Sequence, residues 1–506
     1  MEENQGKAKG LKRRDFVRTV AAGLAAGALG RPGAAVAAAQ SEKKIIGIQV
    51  GSISFLDEGV EQVLDIFEKR SHVNALWLAG YTFGRGLGGR QVPGQPLPDH
   101  GKLEYDLDYH GGNFATVHPQ FYHDTGVDPK DLRAPDHGDW DFFAQVIPAA
   151  KKRGMKAVTW IEDGVRADIP NIEKLQCVDL YGRNTTGLCH NNPYHRNLLL
   201  GVTEDYLRSY ELDGIMYGSE RQGAFTNALG ARHGGASQDP GRVECFCQYC
   251  QERAKKLGID FERVRTAFLE LEKFVRAGRA RSRPVDGYHV TLWRLMLRYP
   301  ELLAWEHFFH DSLREVYKAL NERVKSIKPA AWFGLHIWHN NSFNPVYRAE
   351  QDVAELTKYT DFLKMVMYHN CGGPRFATYL ESVSETIYGD VPAAELLEFH
   401  YRVLNYHEAP YDSVSKAGFK RDYVYRETKR AMDAARGSKT LILPGIDIDI
   451  PTSIDHARSS PDDVKAAVTQ AFQSGAHGII LSRKYSEMRL ANLSGAGAAV
   501  EELRLA

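Results

Sequence analysis

The sequence predicts an α/β chain folded as a closed (β/α)8 barrel, and three observations carry that prediction. Eight short, apolar, β-rich runs alternate with longer amphipathic stretches along the chain, and no linker-like segment interrupts them. Strands that alternate with helices build a parallel sheet, and about eight such units close it. The first strand is also not followed by a glycine-rich turn that opens a helix. Gly47-Ile48-Gln49-Val50-Gly51 lacks the phosphate-binding spacing expected of a doubly wound open sheet, the alternative architecture.

Taken in order, the strand runs cover residues 45–54, 73–80, 156–162, 214–220, 332–340, 362–370, 441–450 and 478–483. Helical periodicity marks 60–70, 140–153, 196–210, 302–326, 394–406 and 461–474 between them. Two connections are much longer than the rest, about 81–139 after strand two and 221–300 after strand four. Both leave the C-terminal ends of their strands, where barrels of the TIM type build their sites. The first is rich in Gly, His, Asp and aromatic residues, among them Tyr109, His110, Phe114, His118, Phe121, Tyr122 and His123. That mixture suits sugar rings, whose apolar faces stack on aromatics while their hydroxyls need polar partners.

The first forty residues read as an address rather than as fold. Lys12-Arg13-Arg14-Asp15-Phe16-Val17 is a twin-arginine pattern, followed by a small-residue apolar stretch at 19–29 and by Ala35-Val36-Ala37, an A-x-A cleavage signature. The apolar stretch is too short to span a bilayer, so no membrane anchor is expected. The expectation is a signal peptide over 1–40, read by the twin-arginine export machinery. A barrel domain over 41–506, periplasmic or secreted, would follow. Charge is balanced, with 64 basic and 64 acidic residues, so nothing points to nucleic acid.

Six cysteines in 506 residues are too few for a disulfide scaffold, yet three of them lie close together. Cys245-Phe246-Cys247-Gln248-Tyr249-Cys250 is a C-x-C-x-x-C cluster at the start of a helical stretch. Three thiolates so close repel one another unless a cation neutralises them, and tetrahedral Zn²⁺ is the usual solution. The fourth ligand is Cys189 or, next in order, Cys177. A closed Cys₄ site leaves no position for water, so the role is structural. Loading the metal before folded export also protects the thiols from periplasmic oxidation.

The order Cys189-His190-Asn191-Asn192-Pro193-Tyr194-His195-Arg196, then a strand ending in Glu220, then C-x-C-x-x-C, resembles glycoside hydrolase family 42, whose members are β-galactosidases of the clan-A barrel type. The resemblance covers roughly residues 180–260. The chain is also similar to the loosely defined, barrel-shaped hypothetical glycosyl hydrolases of bacterial genomes. The family 42 resemblance implies Cys189, Cys245, Cys247 and Cys250 as zinc ligands and Glu220 as general acid/base. Two departures stand out. The family places Asn-Glu where this chain has Ser219-Glu220, and a nucleophilic Glu at the end of strand seven where this chain has Asp447 and Asp449. Family members are commonly trimeric, but no matching trimerisation domain is visible, so a homo-oligomer stays an open call.

Glycoside hydrolysis requires two carboxylates across the scissile bond. Met216, Gly218 and Glu220 share one face of strand four, with Glu220 last and aimed at the mouth. In strand seven Ile446, Ile448 and Ile450 take one face and Asp447 and Asp449 the other, so both aspartates are expected to face inward or upward. Glu162 and Asp163, ending strand three, and Glu487, after strand eight, can each replace a member of the pair. Glu162, Trp160, Tyr81, His336, Trp338, Tyr368, Asn370, Arg483 and Tyr485 are the expected substrate-binding groups at the strand ends. Lys364, at the parity of Tyr368, is expected to form a Schiff base or, rather, a salt bridge to a mouth carboxylate. The overall expectation is an exported glycoside hydrolase acting on oligo- or polysaccharide, retaining in preference to inverting. The alternatives are a non-hydrolytic carbohydrate-binding barrel, and a metal-dependent sugar lyase or isomerase using His118, His123 and Asp124.

Overall fold

The computed structural model describes residues 43–234, 239–451 and 458–505. The expected signal peptide at 1–40 lies outside them. Lys44–Ala506 forms one compact unit. Its sheet contains eight parallel strands: β1 (Ile45–Val50), β2 (Ala75–Thr82), β3 (Lys156–Glu162), β4 (Gly214–Gly218), β5 (Trp332–Ile337), β6 (Phe362–Met367), β7 (Leu441–Asp447) and β8 (Gly478–Ser482). Each pairs with the next in sequence, and β1 pairs with both β8 (Ile45 opposite Gly478) and β2 (Gly47 opposite Ala75), which closes the barrel. Among the described residues no helix is long and apolar enough to cross a membrane.

Four glycines decide how the inside of the barrel is filled. A Cβ on Gly47 would stand 2.4 Å from the Trp77 ring, and one on Gly334 would stand 2.0 Å from Phe362. Likewise a Cβ on Gly218 would reach within 2.6 Å of Trp160 Nε1, and on Gly445 within 2.7 Å of Lys364 Cε. Small inward positions on four of the strands thus make room for two tryptophans, a phenylalanine and a lysine inside the barrel. Trp77, Val158, Trp160, Met216, Phe362, Leu443 and Ile480 form this inner core. Ile446 and Ile448 fall in the outer core against the helices, as the period-2 pattern of strand seven predicts.

A largely irregular segment joins β2 to the helix Phe142–Lys152. Helices Gln248–Lys256, Phe261–Arg279 and Tyr288–Arg298 fill the connection from β4 before the long helix Glu301–Ile327. Two more excursions escaped the sequence reading. One follows β3 and carries a small antiparallel hairpin, Gln176–Val178 with Asn184–Leu188. The other follows β6 and holds helices Gly372–Ser384, Ala393–Leu404 and Tyr411–Ala417. The periodic stretch 394–406 falls on one of these helices, and a further helix, Asp422–Ala434, leads into β7.

Candidate active site at the barrel mouth

Glu220 lies two residues past β4 and is half exposed, lining a cavity of about 670 Å³ together with Trp338, Arg221, Arg232, Gln222, Glu244 and the hairpin residues Thr185–Gly187. Its Oε1 accepts from Nε2 of His336 at 2.8 Å. Crowding by the walls works against ionisation, but the His336 hydrogen bond and, further off, the positive charge of Arg375 outweigh it and bring Glu220 down to about 2. Burial in turn holds His336 at about 4, helped by the nearby Lys364 ammonium, so at neutral pH a neutral imidazole donates to an ionised carboxylate.

Glu162 ends the neighbouring β3 and pairs across to Gly218, two residues before Glu220, so both carboxylates sit on the same side of adjacent strands. Its Oε2 accepts the hydroxyl of Thr82 and the amides of Phe83 (2.9 Å) and Gly84 (3.2 Å). Burial nevertheless pushes Glu162 above the usual carboxylate range, and the charge of Glu220 adds to the rise.

Beneath them Lys364 is fully buried. Its Nζ donates to Tyr368 Oη at 2.7 Å and lies 5.4 Å from the Trp160 ring. Burial lowers the ammonium to about 7. The expected salt bridge to a mouth carboxylate is not formed among the described residues, because Tyr368 takes the position nearest Nζ. The Trp160 ring lies tilted against His336 at 4.9 Å, and among the described residues the indole N–H groups of Trp160 and Trp338 are both buried without a protein acceptor.

Several expected site residues are engaged by other protein groups. Asp447 is buried and accepts the amides of Cys371 (3.0 Å) and Ile450 (2.9 Å), with burial raising it to about 7. Asp449 is clamped by Arg458 (2.9 Å) and Arg489 (2.7 Å). Both aspartates are expected to face inward or upward; in the structure the strand ends at Asp447, and arginines from outside the strand neutralise Asp449. Glu487 is likewise held by Arg483 at 2.7 Å, leaving Arg483 near the mouth but paired.

Tyr81 is turned into the outer core against Phe83 by a register shift between Leu78 and Tyr81 that breaks the alternation of β2. Tyr485 is buried behind the barrel, stacked on His100 at 4.2 Å and donating to Glu58. Asn370 lies beyond Tyr368, partly exposed. Asp163 is a buried hub that pairs with His190 (2.9 Å) and Arg221 (3.2 Å) and accepts from Ser219. His118 is pinned to Asp205 at 2.7 Å, and it does not meet His123 or Asp124 in a potential metal site. Arg232, His233 and Arg375, which sequence reasoning missed, come from connections whose path no local pattern reveals.

The cysteine cluster has the geometry expected of a metal clamp. Cys189, Cys245, Cys247 and Cys250 are buried with ligand atoms within 4.8 Å of one another, the one group of its kind among the described residues. Cys189 Sγ lies 3.4 Å from Cys247 Sγ and 3.6 Å from Cys250 Sγ. Those separations are far longer than a disulfide and close to the edge of about 3.8 Å that a ZnS₄ tetrahedron with 2.3 Å bonds implies. Asn191 Nδ2 donates to Cys250 Sγ at 3.4 Å, as an outer-shell donor to a thiolate does. Cys177, the other candidate for the fourth position, stands outside this set and accepts from Arg221.

No family model matches the chain, and no curated protein sequence does either. Solved structures do resemble it in chain path. The alpha-L-fucosidase isoenzyme 2 from Paenibacillus thiaminolyticus is 12% identical, over 91% of this chain and 49% of that one, with a TM-score of 0.49. A GH42 beta-galactosidase from G. stearothermophilus is 10% identical over 92% and 57%, with a TM-score of 0.48. The PgaB (BpsB) glycoside hydrolase domain from Bordetella bronchiseptica is 12% identical over 91% and 98%, with a TM-score of 0.43. The chain thus spans about half the length of the fucosidase and the galactosidase, and likenesses this distant assign it no activity.

Proposed function

We propose that the protein is a glycoside hydrolase that cleaves oligo- or polysaccharide with two carboxylates at the barrel mouth, Glu220 and Glu162. One observation carries this reading. The two acids stand on adjacent strand ends in a shared field, and their surroundings drive them in opposite directions, Glu220 down and Glu162 up. Carboxylates pushed apart in this way suit the two roles of glycosidic cleavage, Glu220 favouring the ionised one and Glu162 leaning toward the protonated one. Glu220, rather than Asp447 or Asp449, is the ionised member. That assignment differs from the acid/base role implied by the family resemblance, because His336 stabilises the charged form.

In the retaining version the Glu220 carboxylate attacks the anomeric carbon as the glycosidic C–O bond breaks, and the Glu162 proton passes to the leaving oxygen. Water then attacks the glycosyl ester, returns a proton to Glu162 and frees Glu220. Trp160, Trp338, His336 and Tyr368 surround the sugar. We propose further that the four cysteines hold a structural Zn²⁺ that ties the 245–250 segment to Cys189 beside the groove. Export by the twin-arginine machinery to the periplasm or beyond, and self-association, are part of the same proposal.

The test is a screen of wild type, Glu220→Gln and Glu162→Gln against aryl glycosides and oligosaccharides. Sugar release by wild type that falls by orders of magnitude in both variants supports the reading, and azide rescue of Glu220→Gly as a glycosyl azide identifies the nucleophile. Saccharide binding without release by wild type would instead make the chain a carbohydrate-binding barrel.

A further inference from the structure

Guanidinium groups in this protein are paired with carboxylates almost wherever they are drawn inside. Arg221 meets Asp163 and Glu244, each at 3.2 Å. Arg348 meets Glu427 at 3.0 Å, Arg426 meets Glu408 at 2.6 Å, and Arg489 meets Asp449 at 2.7 Å. Arg232 and Arg375 break this habit, and both do so at the mouth. Among the described residues neither has a carboxylate within ion-pairing distance. Arg232 lines the groove with Glu220, and its Nε is buried without an acceptor. Arg375 reaches only His339 Nδ1, at 3.0 Å, with its guanidinium 5.8 Å from the Tyr368 ring.

The acids around these two cations are already engaged. Glu220 is held by His336, Asp447 accepts two amides, Glu244 and Asp163 belong to Arg221, and Asp239 belongs to Arg276 at 2.6 Å. His233, whose ring lies 4.9 Å from Trp338, feels both arginines and is kept uncharged by its burial, at about 3. The unpaired Lys364 adds to the positive field below. An unpaired, partly desolvated guanidinium is unfavourable unless a ligand completes it, and its planar fork matches a carboxylate or a sulfate.

We propose that the substrate is an acidic saccharide whose carboxylate or sulfate group is received by Arg232 and Arg375 beside Glu220. This rests on the hydrolase reading for the location of the bound sugar.

The test measures calorimetric affinity of the full-length protein, at low and high salt, for three probes of equal length. They are an oligogalacturonate for the carboxylate, a carrageenan oligosaccharide for the sulfate ester, and a neutral galacto-oligosaccharide. At least one acidic probe should bind about tenfold or more tighter than the neutral one, with the advantage shrinking as salt rises. In Arg232→Gln and Arg375→Gln the ratio of acidic to neutral affinity should fall about tenfold each, while Arg265→Gln, on the surface of the Phe261–Arg279 helix, keeps the wild-type ratio. Melting curves show whether the variants fold, and the wild-type salt series stands even if one does not. Neutral binding as tight as acidic, no binding of either acidic probe, or a preference that survives both substitutions overturns the inference. Acidic binding without turnover would retire the hydrolase reading alone, and cleavage of neutral sugars with no acidic preference would retire this inference alone.

Discussion

Replacing Gly218 by alanine tests whether the inner packing sets the chemistry. The new Cβ would stand 2.6 Å from Trp160 Nε1, 3.3 Å from its Cε2 and 3.4 Å from His336 Cβ. Trp160 cannot swing away freely, because it is buried between His336 and Lys364. Overpacking of this kind costs about 1–3 kcal/mol. At about 2.1 cal/mol/K of unfolding entropy per residue, a barrel this long shifts its Tm by only about 1 °C per kcal/mol. Urea denaturation is therefore the more sensitive assay. The functional effect should be larger, because a shift of Trp160 moves His336, which orients Glu220. A displacement near 1 Å lowers kcat/KM by about 100-fold. Gly164→Ala is the control, since its Cβ meets nothing nearer than Phe83 at 3.6 Å. If the two variants were indistinguishable in urea midpoint and kcat/KM, the inner layer would not position the site and the reasoning would fail.

Elemental analysis should find one zinc per chain, and Cys245→Ser or Cys250→Ser should lose it together with several kcal/mol of stability; protein that is metal-free yet fully stable would refute the clamp. Because Glu220 is held at about 2, in part by His336, its ionisation should persist through mildly acidic pH. His336→Phe should move the acid limb of the kcat/KM profile upward toward the ordinary carboxylate range of about 4, read as pH–rate curves of the two proteins. Asp449→Asn should destabilise the fold by about 3–5 kcal/mol by leaving Arg458 and Arg489 uncompensated, while the protein that folds keeps most of its kcat. A loss of kcat without loss of stability would return Asp449 to the catalytic candidates.

The barrel and the cysteine cluster were legible in the sequence because their signals are local. Strand and helix periodicity repeats within a dozen residues, and C-x-C-x-x-C places three thiols within six residues. The parity of Met216, Gly218 and Glu220 pointed toward the mouth, although the strand itself ends at Gly218 and Glu220 lies two residues beyond it. Tertiary structure alone decided the rest. A register shift turned Tyr81 into the outer core, and arginines 9 and 40 residues downstream clamp Asp449. The histidine that holds Glu220 ionised lies 116 residues away. Arg232 and Arg375 reach the mouth from the connections after β4 and β6. Charge state and pairing depend on which groups meet across the barrel, and sequence periodicity carries no information about those meetings.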